Sequence, residues 1–248
     1  MTLLFAGAVA IVVGATLQRI AGAGVGMVVA PTLALVLGPA QGVLVTNGAT
    51  IVSGFLIMLA VRHDVDWRRA GLICAAAIPG AVAGALLVRA LSAGWLQVVI
   101  GGTVLVALLT SVITRNLPHL RSRVAMLAAG TIGGFFNTAA GVAAPALVVY
   151  SRLARWEQRS FGATLQPVFM TMGALSVATK TALGSVAAVN ALPWWFALVV
   201  VGAVLTGVGI GGRLSRRIGV PSARRLAVAI AGAGATITLA RGVLLLVA

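Results

Sequence analysis

The sequence predicts an all-α, polytopic transmembrane helical protein of two inverted repeats, each a broken hairpin plus three crossings. Three observations lead there. The 248 residues are 60% hydrophobic and only 8% charged, where a soluble domain carries about 25% charged residues. The apolar runs, such as Met1 to Gln18 and Ala70 to Val88, approach the roughly 20 residues that cross a bilayer. The 18 basic residues face three acidic ones, Asp64, Asp66 and Glu157, and they cluster in alternate connections.

In chain order the apolar segments fall at 2–18, 24–37, 42–61, 70–88, 95–114, 124–139, 142–150, 160–183, 193–212 and 226–247. The start lacks the basic region of a cleavable leader, so 2–18 is expected to stay in the membrane. Segments 24–37 and 142–150 are short, about 21 and 14 Å of helix against a hydrocarbon core of roughly 30 Å. Each follows a small-residue break, Gly22-Ala23-Gly24 or Thr138-Ala139-Ala140-Gly141.

Loops 62–69, 115–123, 151–159 and 213–225 hold 14 of the 18 basic residues, which places all four on the cytoplasmic side. Loops 115–123 and 151–159 can share a side only if 124–139 and 142–150 enter the membrane and return. By the same reasoning 2–18 and 24–37 form a hairpin entered from outside. Three crossings then follow each hairpin, and because three is odd the second half lies upside down, the plan of many secondary transporters. The organisation is a first repeat at 1–114, a cytoplasmic linker at 115–123 and a second repeat at 124–248.

Internal repetition is expected at two places. Gly24-Val25 parallels Gly141-Val142, with Pro31 and Pro145 following at unequal distances, and Gly80/Gly84 parallels Gly207/Gly211 as a GxxxG in each half. Small residues four apart let membrane helices approach closely. Trp67 and Trp156 in the charged loops, and Trp95, Trp194 and Trp195 at the opposite ends, suit headgroup anchoring.

Enzyme chemistry is excluded by placement. His63, His119 and the three carboxylates all lie in the basic loops, so no acid–base pair, metal cluster or activated nucleophile forms within the membrane. The single cysteine, Cys74, has no partner for a disulfide. No catalytic residue, metal or cofactor is expected. The net charge of +15 is accounted for by cytoplasmic loops, so nucleic acid is not an expected partner; a small anion and membrane lipid are, and a homo-oligomer is left open.

An anion site follows from the breaks. Where a helix restarts after glycine, its first N–H groups are unpaired and its dipole end is positive, so Gly22, Gly24, Val25 and Gly26, with Gly141, Val142 and Ala143, form the expected backbone donors. Arg19 reads either as a counter-charge or as an interfacial arginine, and Asn137 as a ligand donor or an interhelical hydrogen-bonding residue. Thr46, Asn47 and Gln166 are the further polar candidates; Gln166 precedes Pro167, whose missing N–H frees a carbonyl. Lys180 and Arg241 are placed for snorkelling to the outer headgroups, with substrate contact as the other reading. The absence of intramembrane carboxylates argues against proton coupling.

The stretch Gly22-Ala23-Gly24-Val25-Gly26-Met27-Val28-Val29-Ala30-Pro31, then Val43-Leu44-Val45-Thr46-Asn47, Pro79-Gly80-Ala81-Val82-Ala83-Gly84 and Gly141-Val142-Ala143-Ala144-Pro145, resembles the sulfite exporter TauE/SafE family, also called the 4-toluene sulfonate uptake permease family. The resemblance implies a bacterial-type inner-membrane protein with two related halves that moves sulfite, thiosulfate or an organosulfonate. A non-transporting membrane scaffold and a passive pore are the alternatives.

Overall fold

A computed structural model describes residues 2–113, 119, 122–185, 194–215 and 217–247. Ten α-helices are present among them: α1 (Thr2–Ala21), α2 (Val25–Leu37), α3 (Pro39–Val61), α4 (Trp67–Ala90), α5 (Ala93–Ile113), α6 (Arg123–Ala140), α7 (Ala144–Leu153), α8 (Gln158–Ala182), α9 (Trp194–Leu214) and α10 (Val220–Val247). Six are long and apolar enough to cross a membrane, α3 to α5 and α8 to α10. Each trio follows a hairpin whose second arm is short, 13 residues in α2 and 10 in α7. Most of the linker expected at 115–123, including Arg115 and Arg121, lies outside the described residues, as do Arg216 and most of the 184–192 connection.

Helices extend further into the basic loops than expected. Arg68 and Arg69 lie in the first turn of α4, Arg159 in that of α8, and Arg224 and Arg225 within α10. Polar caps make this possible. Asp66 accepts from the Arg69 N–H at 3.0 Å, Ser122 from Ala125 at 3.4 Å, and Glu157 from Arg159 and Ser160 at 3.0 and 2.8 Å, so α4, α6 and α8 start where side chains satisfy their orphan donors. Asp64 pairs with Arg159 at 2.9 Å. All three carboxylates are thereby engaged in capping or pairing at the arginine-bearing end. Trp156, expected as a headgroup anchor, is half-buried in a cluster, edge-on to Tyr150 at 6.2 Å and tilted against Phe161 at 5.5 Å, with the Arg69 guanidinium 4.5 Å from its ring centroid.

Several helix contacts recur when the halves are exchanged, although the close packing of α2 on α3 has no equal between α7 and α8. Helix α4 packs on α6 and α9 on α1, while α3 meets its counterpart α8 and α5 meets α10. The residue register repeats too. A side chain at Gly80 would collide with the Thr131 carbonyl, and one at Gly207 with the Val12 carbonyl at 2.5 Å; Gly84 abuts Phe135 and Thr138, Gly211 abuts Thr16 and Arg19. Positions 12, 16 and 19 are each 119 residues before 131, 135 and 138, so the two GxxxG motifs seat on equivalent stretches.

Counterpart helices run antiparallel. Gly54 of α3 lies against Gln166 and Met170 of α8, and Gly173 of α8 against Asn47 and Ile51 of α3, so the contacted number rises on one helix as it falls on the other. In α5 and α10, Gly94 meets Gly242 and Leu246, while Gly101 meets Ala235 and Leu239, again in opposite directions. Large apolar side chains such as Leu109, Leu198, Leu205 and Leu244 are exposed on the outside, as lipid contact requires.

Candidate anion site at the helix breaks

Each hairpin breaks at a glycine in left-handed backbone geometry. Gly22 has φ 80° and Gly141 φ 76°, a region that costs an L-residue roughly 1–2 kcal/mol. In both, the glycine N–H returns to the carbonyl four residues back, Gly22 to Gln18 and Gly141 to Asn137, each at 2.8 Å. The structural counterpart of Gly141 is therefore Gly22, and the sequence parallel of Gly24-Val25 with Gly141-Val142 is displaced by two. Gly24 serves close packing instead: it sits over the α1 backbone, where an added side chain would come within 2.7 Å of the Gln18 nitrogen.

These caps occupy the Gln18 carbonyl of α1 and the Phe136 and Asn137 carbonyls of α6 and leave the amino ends of α2 and α7 in donor excess. In α2 the first N–H to be bonded is that of Val28, to Gly24 O at 3.0 Å, and Val25, Gly26 and Met27 lack an acceptor one turn back. The second break differs from expectation. The Gly141 and Val142 N–H groups are taken by Asn137 and Phe136 carbonyls at 2.8 and 3.4 Å, and α7 starts at Ala144 with Pro145, which has no N–H, in its first turn. Its donors reduce to Ala143, Ala144 and Ala146.

Two buried amide pairs bind the breaks to the opposite halves. Gln18 Nε2 donates to Gln166 Oε1 at 3.0 Å, and Gln166 Nε2 donates to the carbonyls of Gly22 and Gly162, both at 3.0 Å. Asn137 Nδ2 donates to Asn47 Oδ1 at 2.9 Å, and Asn47 Nδ2 donates to Asn137 O at 3.3 Å and Ser176 Oγ at 2.9 Å. Gln18 and Asn137 stand 119 residues apart, as do Asn47 and Gln166; one pair is the image of the other.

The breaks meet. Gly26 packs directly on the Gly141 carbonyl, and the Ala30 Cβ and Thr46 methyl close around Gly141. A cavity of about 20 Å³ lies between them, lined among others by Gln18, Gly24, Gly26, Asn137, Val142 and Ala143, room for about one water. Beside it a larger cavity of about 140 Å³ is bordered by Arg152, Gln158 and Arg224 at the arginine-bearing end and by Gly22, Ala23, Met27 and Ala144 at the breaks.

Of the residues expected at the site, Gly24, Gly26, Asn137, Gly141, Val142 and Ala143 line the small cavity and Gly22 the larger one. Asn47 and Gln166 stand behind it as amide partners. Arg19 is placed elsewhere, its side chain running along α9 at Gly211 and Gly212. The Val25 side chain packs with Ile11 and Ala15 while its N–H stays at the amino end of α2, and Thr46 turns its methyl to Gly141 and its hydroxyl to Gly42 O of its own helix at 2.8 Å. Gln18, Thr50 and Phe169 are lining residues that the sequence reading missed. For Gln18 a signal existed: it lies four residues before its break glycine, as Asn137 does.

A model of the family described as sulfite exporter TauE/SafE matches residues 6–238. No curated protein and no solved structure matches the chain.

Proposed function

The chain belongs to the sulfite exporter TauE/SafE family, a family of membrane transporters and not of enzymes, and from that premise we propose that it carries a small sulfur oxyanion or organosulfonate through the junction of its two helix breaks. It is a multi-pass cell-membrane protein in contact with lipid. The observation that carries the substrate reading is the meeting of both breaks at one buried cavity, adjoining a larger one bordered by Arg152 and Arg224.

The path is built for negative charge. Arginines at the vestibule raise the local anion concentration, and the amino ends of α2 and α7 present backbone donors without bulky side chains. The neutral amides of Gln18 and Asn137 supply orientable hydrogen bonds. An oxyanion exceeds a cavity of about 20 Å³, so binding requires the breaks to part, with the halves moving about the antiparallel α3–α8 and α5–α10 crossings. Export needs no coupling ion, because an inside-negative potential drives each negative charge outward by about 2.3 kcal/mol per 100 mV.

Radiolabelled flux in proteoliposomes across sulfite, thiosulfate and sulfonates tests the reading. Saturable flux of one of these anions is the expected result. Flux that rises without saturation indicates a pore, and no flux of any anion overturns the transport reading in favour of a scaffold.

A further inference from the structure

Helix α8 carries one stripe of residues along its whole length that follows the proposed path. Gly162 borders the vestibule, Gln166 holds the first break, Phe169 lines the central cavity, Gly173 packs on Asn47, and Ser176 accepts from Asn47. The spacings of four, three, four and three keep these positions on one helical face. The next position on that face is Lys180, one turn and about 6 Å beyond Ser176.

Lys180 is the anomaly of the stripe. Its side chain is 0% exposed, whereas a lysine near the end of a membrane helix ordinarily reaches the headgroups. The expectation of snorkelling is not met, although Lys180 lies about 33 Å along α8 from Gln158. Its Nζ has no hydrogen-bond partner among the described residues. An ammonium buried without a counter-charge is strongly unfavourable, and no carboxylate is available there, since Asp64, Asp66 and Glu157 all sit at the opposite end. With no counter-charge among the described residues, an anion entering from outside the fold is a partner that would pair this ammonium.

We infer that Lys180 is a second anion-binding station, taking the oxyanion from the central breaks on the side remote from the arginines. This rests on the transport reading above and extends it from one site to two. The polar strip Asn137–Asn47–Ser176 links the stations. In the conformation described, the packing of Gly173 on Asn47 closes the way between them, so Lys180 fills only when the breaks part and α8 separates from α3. A single-charged station suits a monovalent or divalent oxyanion held by one charge-assisted hydrogen bond, strong enough to attract it and weak enough to release it.

Flux of radiolabelled sulfite in proteoliposomes, for the wild type, Lys180→Met and Lys180→Arg, together with the thermal unfolding midpoint of each protein in detergent without anion, tests the inference. The expected result is a flux lowered about tenfold or more in Lys180→Met, the loss of one hydrogen bond to a charged group, with flux largely kept in Lys180→Arg. The unfolding midpoint of Lys180→Met should equal or exceed that of the wild type, because an unpaired buried charge has been removed. Flux within twofold of the wild type in Lys180→Met overturns the second station and leaves the central site standing. A lowered midpoint also overturns it, by revealing a structural partner for the ammonium. Absence of flux in the wild type itself overturns the transport reading, and the station with it.

Discussion

Gln18 and Gln166, 148 residues apart in sequence, share a buried hydrogen bond of 3.0 Å that is the image of the bond between Asn137 and Asn47 in the other half. Both pairs join the end of a broken helix to the third helix of the opposite repeat. Each break is thereby anchored to the half that contains the other break, and neither can move without stretching an interhelical amide.

A double-mutant cycle over Gln18→Ala and Gln166→Ala measures that anchor. Interhelical hydrogen bonds in membrane proteins couple by about 0.6 kcal/mol on average and by at most about 1.7. The cycle should give a coupling within that range from unfolding in mixed micelles, and each single variant should lower sulfite flux. Additive single effects on both measurements mean that the pair does no anchoring.

Gly22→Ala and Gly141→Ala should differ in cost. Both force a side chain into positive φ, worth roughly 1–2 kcal/mol. At Gly22 the nearest atom to the new methyl is Gly162 Cα at 3.8 Å, while at Gly141 it is Ala30 Cβ at 3.0 Å. The unfolding midpoint should fall for both and further for Gly141→Ala. Equal midpoints for the two variants contradict the tight junction at the second break.

The paired GxxxG motifs give a matched comparison. Gly80→Ala and Gly207→Ala should each destabilise by about 1–3 kcal/mol through overpacking, since the methyl meets a carbonyl of the neighbouring helix. Gly202→Ala, with nothing within 4 Å, should be neutral or gain up to about 1 kcal/mol from helix propensity. Denaturation midpoints of the three variants check the ranking.

Arg224→Gln tests the vestibule. Loss of its charge should raise the apparent KM for anion presented from the arginine-bearing side, with a smaller effect on the maximal rate and a flatter dependence on ionic strength. An unchanged KM at low salt shows that the larger cavity is not on the route.

Much of this architecture was legible in the chain. Apolar runs and arginine clusters mark where the long helices lie, and the shortness of 142–150 matches the 10 residues of α7, too few to span a bilayer. The GxxxG pairs were readable because glycine at i and i+4 has few uses in a membrane helix besides close packing. What escaped depends on rotation about the helix axis. Arg19 sits beside Gln18, yet one turns toward α9 and the other into the site, and a uniformly apolar helix carries no polar face from which to tell them apart. Lys180 was misplaced for the same reason: its depth along α8 was readable, its burial was not. The displaced pairing of the breaks arose because Gly24-Val25 and Gly141-Val142 match in letters, whereas the chain aligns by the left-handed cap, which falls at Gly22.

The central claim is that two oppositely oriented halves bring their breaks together, and membrane-impermeant thiol labelling tests it most directly. In a Cys74→Ser background with one cysteine at a time, His119→Cys and Gln158→Cys should label only from the cytoplasmic side, and Ser92→Cys and Ala182→Cys only from the opposite side. Labelling of positions 119 and 158 from different faces would make α6 and α7 a full crossing instead of a returning hairpin, and would contradict the inverted arrangement on which the anion site depends.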